Sequence, residues 1–482
     1  MRVSAPICGL AFLLAAGIST CKVGISATPA WDLSPWFTAS ALTPPDPALP
    51  SLCGAELPPD TLAAERAACR FVADAPASTT LGATSRFVQS HPIWHVVILM
   101  QENRSFDHLL GRLHGAGQAD TEAIPADYAN RHASAPYAPV TPFHAATTCL
   151  GADPEHQWSA VHIGLDRRES PTPHYAMDGF VASAESSTWP DTDGAFVMSY
   201  YDATDLPFFY WLANTFALRD RHFAPLATGT FPNRDFLLLG TNAGVEDTWN
   251  IYPPLGIPSI FQRLHAKQVD GHSLTWKIYS DGDPLSGTLG LTSASAGVYS
   301  EAEFIADLDS GHLPNVAFVD GRDLAVDANP ETDLHPPSDL QVGEAWLRNI
   351  YQRAIRSPQW MRTALIWTTD EAGGFADHVA PPLTACAPSD SEADQRYRQP
   401  GPRVPFVLVS PWARRHFVSH VVSDHVAITR FLETIFDLPA MTARDANSDA
   451  LLELFDFSCG RDLAIEPAPE AGHGGCPTGP RS

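Results

Sequence analysis

The stretch His95-Val-Val-Ile-Leu-Met-Gln-Glu-Asn-Arg-Ser-Phe-Asp107 places an apolar run directly before two oxygen-bearing side chains, Glu102 and Asn103. Residues Val96–Gln101 are uncharged and rich in β-branched and long aliphatic side chains, which predicts a buried strand. The residues from Ser105 onward predict the start of a helix. Ligands bind open α/β sheets at the carboxyl ends of the strands. Glu102 and Asn103 are therefore predicted to lie at a ligand-binding edge.

A second predicted strand ends in the same way. Thr363-Ala-Leu-Ile-Trp-Thr-Thr369 runs directly into Asp370 and Glu371, and Gly373 and Gly374 follow. If the two strands are neighbours, four oxygen-bearing side chains with three negative charges converge, and such a cluster needs a cation. The alternative is that each acidic pair is a solvated strand end. The glycines argue against that alternative because they allow the backbone to approach a ligand closely.

A candidate nucleophile lies between these strands, in the segment Gly229-Thr-Phe-Pro-Asn-Arg234. Pro232 suits the first turn of a helix, and Gly240 suits its end. Thr230 is then expected at or just before the helix N-terminus, where free N–H groups and the helix dipole favour a phosphate and the formation of an alkoxide. The same position suits a threonine that only caps the helix. These two roles look identical in the sequence.

Several motifs, in this order along the chain, resemble the bacterial phospholipase C and acid phosphatase phosphoesterase family. They are Gln101-Glu-Asn-Arg-Ser-Phe-Asp107, Asp153-Pro-Glu-His-Gln-Trp158, Gly229–Arg234, Leu334-His-Pro-Pro337, Asp370-Glu-Ala-Gly-Gly-Phe-Ala-Asp-His-Val-Ala-Pro-Pro382 and Ser423-Asp-His425. The resemblance spans about Ile93 to Leu438 and is specific through the combination of motifs. It implies an α/β fold resembling alkaline phosphatase, with a central, mostly parallel sheet flanked by helices.

The resemblance also implies roles for the matching residues. Four residues are implied as metal ligands: Glu102, Asn103, Asp370 and Glu371. The Thr230 hydroxyl is implied to attack phosphorus and form a phosphoenzyme intermediate. Two histidines are expected beside the phosphoryl group, where either can protonate the departing alkoxide: His156 and His335. Three further residues are predicted to contact the substrate: Asn233, Arg234 and His378. For His378, metal ligation and a hydrogen bond to a carboxylate stay open. Ala372 departs from the family, which usually has a glycine there.

These features predict a metal-dependent phosphoric ester hydrolase whose substrate is a small phosphate ester or a phospholipid headgroup. Oxygen ligands favour Mg, Ca or Mn over zinc. The sequence leaves open whether the substrate is a monoester, as for an acid phosphatase, or a diester, as for a phospholipase C. The alternative is a noncatalytic secreted protein that binds phosphate or phosphorylated ligands. The aligned hydroxyl speaks against it, because binding alone requires none.

Composition describes the surroundings of this site. Of the 482 residues, 44% are hydrophobic and 18% are charged, which predicts a globular protein with a substantial core. The formal net charge of −25 argues against nucleic acid or an anionic membrane as a stable partner, since both would repel the protein. The apolar stretch Ala5–Ile18 after Arg2 predicts a signal peptide, and hence a secreted or periplasmic protein. This stretch is too short to span a bilayer, so no stable membrane insertion is expected.

The predicted organisation is a signal peptide (1–27), an irregular N-terminal segment (28–90) with a short helix at Thr61–Phe71, a catalytic domain (91–460) and a C-terminal tail (461–482). An aromatic-rich insertion at about 111–215 is expected either to pack or to cap the substrate. Further strands are predicted within Ser273–Tyr279, Asn315–Asp320 and Val404–Ser410.

Removal of the leader takes two of the eight cysteines and leaves an even number, which in an exported protein predicts disulfides. Proximity in the sequence favours the pairs Cys53–Cys69, Cys459–Cys476 and Cys149–Cys386, although many other pairings are possible.

Overall fold

The structure is a computed structural model, and it describes residues 53–82, 85–134, 136–186, 193–242, 244–248, 258–286, 289–322, 331–459, 465, 467–472 and 474. The predicted signal peptide, Cys476 and much of the predicted N-terminal segment and tail lie outside these residues.

The helices are α1 (Ala63–Ala67), α2 (Ala77–Thr80), α3 (Ser85–Ser90), α4 (Phe106–Leu110), α5 (Trp158–Leu165), α6 (Phe180–Glu185), α7 (Pro207–Thr215), α8 (Thr230–Leu239), α9 (Ile260–Ala266), α10 (Glu301–Ser310), α11 (Leu340–Ala354), α12 (Glu392–Arg396), α13 (Val426–Ile435) and α14 (Ala443–Ala446). Short 3-10 helices cover Leu113–Gly115, Ala195–Met198, Trp360–Arg362 and Leu452–Leu454.

The strands are β1 (His95–Gln101), β2 (Phe143–His144), β3 (Arg167–Arg168), β4 (His174–Tyr175), β5 (Ser199–Tyr200), β6 (Ala217–Arg219), β7 (His222–Phe223), β8 (Gln268–Val269), β9 (His272–Ser273), β10 (Trp276–Tyr279), β11 (Val298–Tyr299), β12 (Val316–Asp320), β13 (Thr363–Thr369), β14 (Phe406–Val409), β15 (Phe417–Ser419) and β16 (Ser423–Asp424).

Eight of the strands form one sheet in the order β11-β10-β12-β1-β13-β14-β6-β15. Every neighbouring pair is parallel except the two that involve β14, which runs antiparallel to both β13 and β6. The two central strands β1 and β13 are buried along their whole length. Burial on both faces explains why their sequences are continuous apolar runs. The prediction of a mostly parallel α/β sheet is confirmed.

The register brings the two predicted acidic ends together. Strand β1 pairs with β13 in parallel, with Gln101 opposite Thr369, so Glu102 and Asp370 emerge side by side. On its other side β1 pairs with β12, where Met100 lies opposite Asp320. The expectation that the strands before Glu102 and Asp370 are neighbours is confirmed, and Asp320 joins them at the same edge.

Helices cover the sheet and share its core. Side chains of α7, α8, α11 and α13 are buried in the same apolar cluster as those of β1 and β13. The aromatic-rich insertion forms a smaller cluster of its own, in which Tyr175 and Phe180 pack with Phe375. Burial of these rings favours packing over a substrate cap. Among the described residues, no helix combines the length and the apolar character that crossing a bilayer requires.

The disulfide prediction is confirmed, but the three predicted pairings are wrong. The structure joins Cys53 to Cys459 and Cys69 to Cys386, and Cys149 is also disulfide-bonded. Proximity in the sequence failed because the segment before β1 packs against residues from the late part of the chain. The backbone N–H of Gly54, for example, donates to the carbonyl oxygen of Phe457 over 2.7 Å. The predicted helix at 61–71 is present as the shorter α1.

Candidate active site

Asp370, at the carboxyl end of β13, forms hydrogen bonds through its backbone N–H and through both of its carboxylate oxygens. Its N–H donates to the carbonyl oxygen of Gln101 over 3.1 Å. Its Oδ1 accepts hydrogen bonds from the backbone N–H groups of Asn103 (3.2 Å) and Glu371 (2.8 Å). Its Oδ2 accepts a bond from Nε of Arg234 over 3.0 Å. The carboxylate therefore has a single position, fixed by the ends of two neighbouring strands and by α8.

Arg234 is a buried cation placed among three carboxylates. Besides Asp370, its guanidinium donates to Oδ1 of Asp320 over 2.6 Å and lies 3.6 Å from Oε1 of Glu102. Burial alone would lower the pKa of Arg234, but Asp320, Asp370 and Glu102 outweigh it and raise that pKa. Arg234 thus offsets part of the negative charge at the sheet edge. Its predicted contact with the substrate remains a prediction.

Two buried side chains at this edge carry polar atoms that lack hydrogen-bond partners. Asn103 is fully buried, yet neither Oδ1 nor Nδ2 has a hydrogen-bond partner among the described residues. The same holds for Oε1 of Glu371, while its Oε2 accepts a bond from the N–H of Gly373 over 2.6 Å. Leaving a buried polar atom unpaired costs about 1–3 kcal/mol. Divalent cations such as Mg²⁺ and Ca²⁺ take oxygen ligands of this kind, so the donor chemistry of Asn103 and Glu371 fits the predicted metal.

Burial raises the pKa of Glu371 to about 8, although His156, whose Nε2 lies 3.8 Å from Oε1, opposes the rise and Asp370 adds to it. A bound cation would lower this pKa, because it favours the ionised carboxylate.

Glycine is required where the loop after β13 touches the loop after β1. Gly373 has φ +62°, and a Cβ atom built on it would lie 2.1 Å from the carbonyl oxygen of Asn103. Gly374 has φ +72°, and its Cβ atom would lie 2.8 Å from Pro154 and 3.0 Å from the carbonyl oxygen of Glu155. These contacts bring the segment that carries His156 against the acidic loop, which follows β13 and begins with Asp370 and Glu371.

His156 and His335 are oriented in the same manner. Nδ1 of His156 lies 2.6 Å from the carbonyl oxygen of Pro154, and Nδ1 of His335 lies 2.7 Å from that of Pro336. A carbonyl only accepts, so each Nδ1 carries a hydrogen and each ring directs Nε2 elsewhere. The two ring centroids are 5.7 Å apart.

Both Nε2 atoms face carboxylates. That of His156 lies 3.8 Å from Oε1 of Glu371, and that of His335 lies 4.0 Å from Glu102 and 3.8 Å from Asp153. Burial by itself lowers the pKa of His156, but Glu371 and Asp153 outweigh it and raise that pKa to about 9. Asp153, His156 and His335 also bring ligand atoms close enough to one another to hold a metal ion. The structure therefore joins both histidines to the carboxylate cluster.

Thr230 is the first residue of α8, and it does not cap the helix. The N-cap is Gly229, with no capping bond from a side chain. The Thr230 side chain is buried, at 6% exposure. Its hydroxyl has no hydrogen-bond partner among the described residues. Residues four apart share a helix face, so Thr230 lies on the face of α8 from which Arg234 reaches the carboxylates. The capping role considered for Thr230 is contradicted, and its role as the nucleophile remains a prediction.

Asn233 fixes the turn that precedes Thr230. Its Oδ1 accepts a hydrogen bond from the N–H of Leu226 over 2.8 Å, and its Nδ2 donates to the carbonyl oxygens of Thr228 (2.8 Å) and Gly229 (2.9 Å). These bonds give Asn233 a positioning role. Contact between Asn233 and the substrate remains a prediction.

His378 belongs to a separate charged network beside the acidic loop. Its Nδ1 lies 2.7 Å from Oδ2 of Asp107, and its N–H donates to the same oxygen. Arg403 donates to the other oxygen of Asp107 and to Oδ1 of Asp377, each over 2.8 Å. His378 makes the hydrogen bond to a carboxylate that was considered for it, and Asp107, Asp377 and His378 also lie close enough to one another to hold a metal ion. The network joins the loops that follow β1 and β13.

Sequence interpretation missed three residues of this region. Asp320 and Asp153 belong to it through their contacts with Arg234 and His335. His222 pairs with His425, whose ring reaches the backbone of Asp370. Asp320 ends a predicted strand, and Asp153 is the first residue of the motif Asp153–Trp158. Both positions could therefore have been predicted from the sequence. His222 lies in a two-residue strand that has no periodicity to detect.

The chemistry of this arrangement is specific. A hydroxyl at a helix N-terminus, two imidazoles and a cluster of carboxylate oxygens are the kinds of group that phosphoryl transfer uses to bind the phosphoryl group, attack it and protonate the leaving oxygen. An apolar pocket of about 30 Å³ lies beside Arg234 and Asp320, which is room for one water molecule and not for a substrate.

Comparison with known proteins agrees with this chemistry. A model of the phosphoesterase family matches residues 93–439. Non-specific phospholipase C1 of Arabidopsis thaliana is 29% identical over 403 residues, which cover 79% of this chain and 73% of that protein. Non-hemolytic phospholipase C of Pseudomonas aeruginosa is 30% identical over 438 residues, covering 78% and 58%. Phospholipase C A of Mycobacterium tuberculosis is 28% identical over 420 residues, covering 76% and 78%.

Among solved structures, a protein of the alkaline phosphatase superfamily from Vibrio parahaemolyticus is 12% identical. The match covers 51% of this chain and 63% of that chain, with a TM-score of 0.32. The fold class rests on the sheet described above and not on this match.

Proposed function

The chain belongs to the phosphoesterase family, and on that premise we propose that it is a secreted, metal-dependent phosphoric ester hydrolase with Thr230 as the nucleophile. The relatives named above are phospholipases C, which are phosphoric ester hydrolases. One observation carries the proposal of covalent catalysis. The Thr230 hydroxyl lies unbonded at the N-terminus of α8, on the face that also carries Arg234 to the acidic cluster.

The metal ligands in this proposal are Glu102, Asn103, Asp370 and Glu371. The unpaired oxygens of Asn103 and Glu371 support it most directly. When bound, the cation supplies positive charge that neutralises the nonbridging oxygens of the phosphoryl group. Oxygen ligands favour Mg, Ca or Mn, while the closeness of two imidazole nitrogens weakens that preference.

In the reaction, Oγ1 of Thr230 forms a bond to phosphorus while the bond from phosphorus to the leaving oxygen breaks. The N-terminus of α8 stabilises the negative charge that develops there. His156, whose raised pKa keeps it protonated at neutral pH, donates a proton from Nε2 to the departing alkoxide. His335 presents an Nε2 that can accept the proton of the Thr230 hydroxyl, because its Nδ1 already carries the hydrogen donated to Pro336. Water then attacks phosphorus and gives a proton to His156, the bond from phosphorus to Oγ1 breaks, His335 returns its proton to Oγ1, and the phosphate product leaves.

Export is part of the proposal and is supported by the disulfides. Cys53–Cys459 and Cys69–Cys386 are bonded, and structural disulfides persist in oxidising compartments. The substrate in this proposal is a small phosphate ester or a phospholipid headgroup.

A substrate panel tests the function. Purified protein, stripped of metal by chelation, is assayed with p-nitrophenyl phosphate, p-nitrophenyl phosphorylcholine and phosphatidylcholine vesicles, before and after addition of Mg²⁺, Ca²⁺ or Mn²⁺. We expect hydrolysis of at least one substrate only after a metal is added. Full activity in protein shown by elemental analysis to hold no divalent metal would refute the metal dependence. Tight phosphate binding without turnover of any substrate would favour the noncatalytic alternative.

A further inference from the structure

Three residues that the proposed reaction does not use form a buried chain ending at Asp370. Oγ of Ser423 lies 2.9 Å from Nδ1 of His222, and Nε2 of His222 lies 3.2 Å from Nδ1 of His425. Nε2 of His425 lies 2.6 Å from the carbonyl oxygen of Asp370. Both rings are completely buried. The chain therefore links Ser423 to the peptide group that joins Asp370 to Glu371.

The direction of each hydrogen bond follows from the acceptor at the end. A carbonyl oxygen cannot donate, so Nε2 of His425 carries a hydrogen. Burial lowers the pKa of both histidines, which fits neutral rings with one hydrogen each. Nδ1 of His425 then accepts, Nε2 of His222 donates to it, and Nδ1 of His222 accepts from the Ser423 hydroxyl. Every hydrogen in the chain is thus assigned.

Secondary structure holds the three side chains of this hydrogen-bonded chain in place. Strands β16 and β7 pair in parallel with Ser423 opposite His222. The His222 ring packs on Phe406 of β14, with centroids 4.5 Å apart. Asp424 accepts a hydrogen bond from the N–H of Val426 at the start of α13, which fixes the turn that carries His425.

The carbonyl oxygen that receives this chain lies between two predicted metal ligands. The N–H and both carboxylate oxygens of Asp370 are already bonded to other partners. The carbonyl is the remaining polar group of Asp370, and its direction sets the plane of the peptide from which Glu371 extends. We propose that Ser423, His222 and His425 are positioning residues that fix this peptide plane and so hold Asp370 and Glu371 in the geometry that binds the cation. This inference rests on the proposed function, because it concerns the proposed metal ligands.

The hydrogen positions are tested first, independently of metal and activity. Long-range 15N–1H spectra of the histidine rings distinguish a hydrogen on Nε2 from one on Nδ1. His222→Gln and His425→Gln identify the two signals by their disappearance. We expect both rings to be neutral at pH 7 and to carry the hydrogen on Nε2. A hydrogen on Nδ1 of His425 in the metal-free protein would overturn the chain.

Metal binding is tested next, with Mn²⁺ alone as the probe and its dissociation constant measured by electron paramagnetic resonance. His425→Leu removes the bond to Asp370 and is expected to weaken Mn²⁺ binding by about 10- to 100-fold, as is usual for partners that orient metal ligands. His425→Gln, which can donate to Asp370 and accept from His222, is expected to restore most of the affinity. If His425→Leu fails to fold, His222→Leu breaks the hydrogen-bonded chain one step earlier. We then expect a loss of Mn²⁺ affinity that is smaller than the loss expected for His425→Leu.

His91 offers a matched control. Its Nε2 also bonds a backbone carbonyl, that of Ile435, over 3.0 Å, and the ring is buried. His91→Leu should lower the thermal midpoint, as His425→Leu does, yet leave Mn²⁺ affinity unchanged. Equal affinity in wild-type and His425→Leu proteins would overturn the positioning role alone. A wild-type protein that binds no divalent metal would refute the proposed function, whatever the ring spectra show.

Discussion

Thr230→Ala distinguishes a catalytic role of Thr230 from a structural one, because the Thr230 side chain makes no hydrogen bond that stabilises the fold. The N-cap of α8 is Gly229, and the hydroxyl of Thr230 has no hydrogen-bond partner among the described residues. Its removal therefore costs only the burial of one methyl group, about 0.8 kcal/mol. The higher helix propensity of alanine offsets part of that loss. We expect the free energy of unfolding to fall by about 1 kcal/mol or less.

The effect on catalysis should be far larger. Without Oγ1 no covalent intermediate forms, and loss of a nucleophile costs at least about a thousandfold in turnover. Thr230→Ser keeps the oxygen and should retain measurable activity. Initial rates are measured per folded molecule, with the folded fraction taken from circular dichroism and the stability from urea unfolding.

Thr228, two residues earlier, provides the opposite case. Its hydroxyl donates to the carbonyl oxygen of Glu246, and its side chain is buried. Thr228→Ala should cost about 0.5–1.5 kcal/mol of stability, since it removes a partly buried hydrogen bond, while turnover per folded molecule stays near that of wild type. A well-folded Thr230→Ala protein with turnover within about threefold of wild type would refute the nucleophile, because loss of a covalent step costs orders of magnitude.

Three further changes test the loop after β13 and the stability of the fold. Gly373→Ala should reduce metal affinity and turnover by at least about tenfold, because its Cβ atom would meet a backbone oxygen at 2.1 Å. Gly271→Ala, at a positive φ with nothing within 4 Å of the added Cβ atom, should lower only the free energy of unfolding, by about 1 kcal/mol. Equal losses of turnover in the Gly373→Ala and Gly271→Ala proteins would contradict this reasoning. Burial lowers the pKa of His91 from 6.5 to about 4, so about 3 kcal/mol of stability present above pH 6.5 should be lost as the pH falls to 4. His91→Gln should remove that dependence in urea unfolding at several pH values, and an unchanged pH profile would argue against it. Replacing Cys69 and Cys386 together by serine should lower the free energy of unfolding by about 2–5 kcal/mol, and an unchanged urea midpoint would contradict the bond.

The sheet edge was predictable because its signal is local. Strands β1 and β13 are continuous apolar runs that stop at polar residues, and burial on both faces produces that pattern. The further predicted strands are present as β10, β12 and β14, each shorter than the predicted stretch. The antiparallel direction of β14 left no trace in the sequence, since its apolar residues read the same in either direction.

Other features depend on contacts between distant parts of the chain. The disulfides join residues separated by 406 and 317 positions, which no argument from spacing detects. The partners of Arg234 come from three strands, so its role as a cation among carboxylates appears only in the fold. The freedom of the Thr230 hydroxyl is likewise a structural finding, because a capping threonine and a reactive one have the same sequence.

The positive charge of Arg234 explains how several carboxylates can be buried together at the end of the sheet before a cation binds. Burying carboxylates without compensation costs several kcal/mol per ion. Arg234 bonds Asp370 and Asp320 directly and approaches Glu102, so these three share one fixed positive charge. Glu371 receives no hydrogen bond from Arg234 and faces His156 over 3.8 Å, and burial raises its pKa to about 8. A divalent cation bound at this edge would therefore favour the ionised form of Glu371, while the hydrogen bonds and charge of Arg234 already hold Asp370, Asp320 and Glu102.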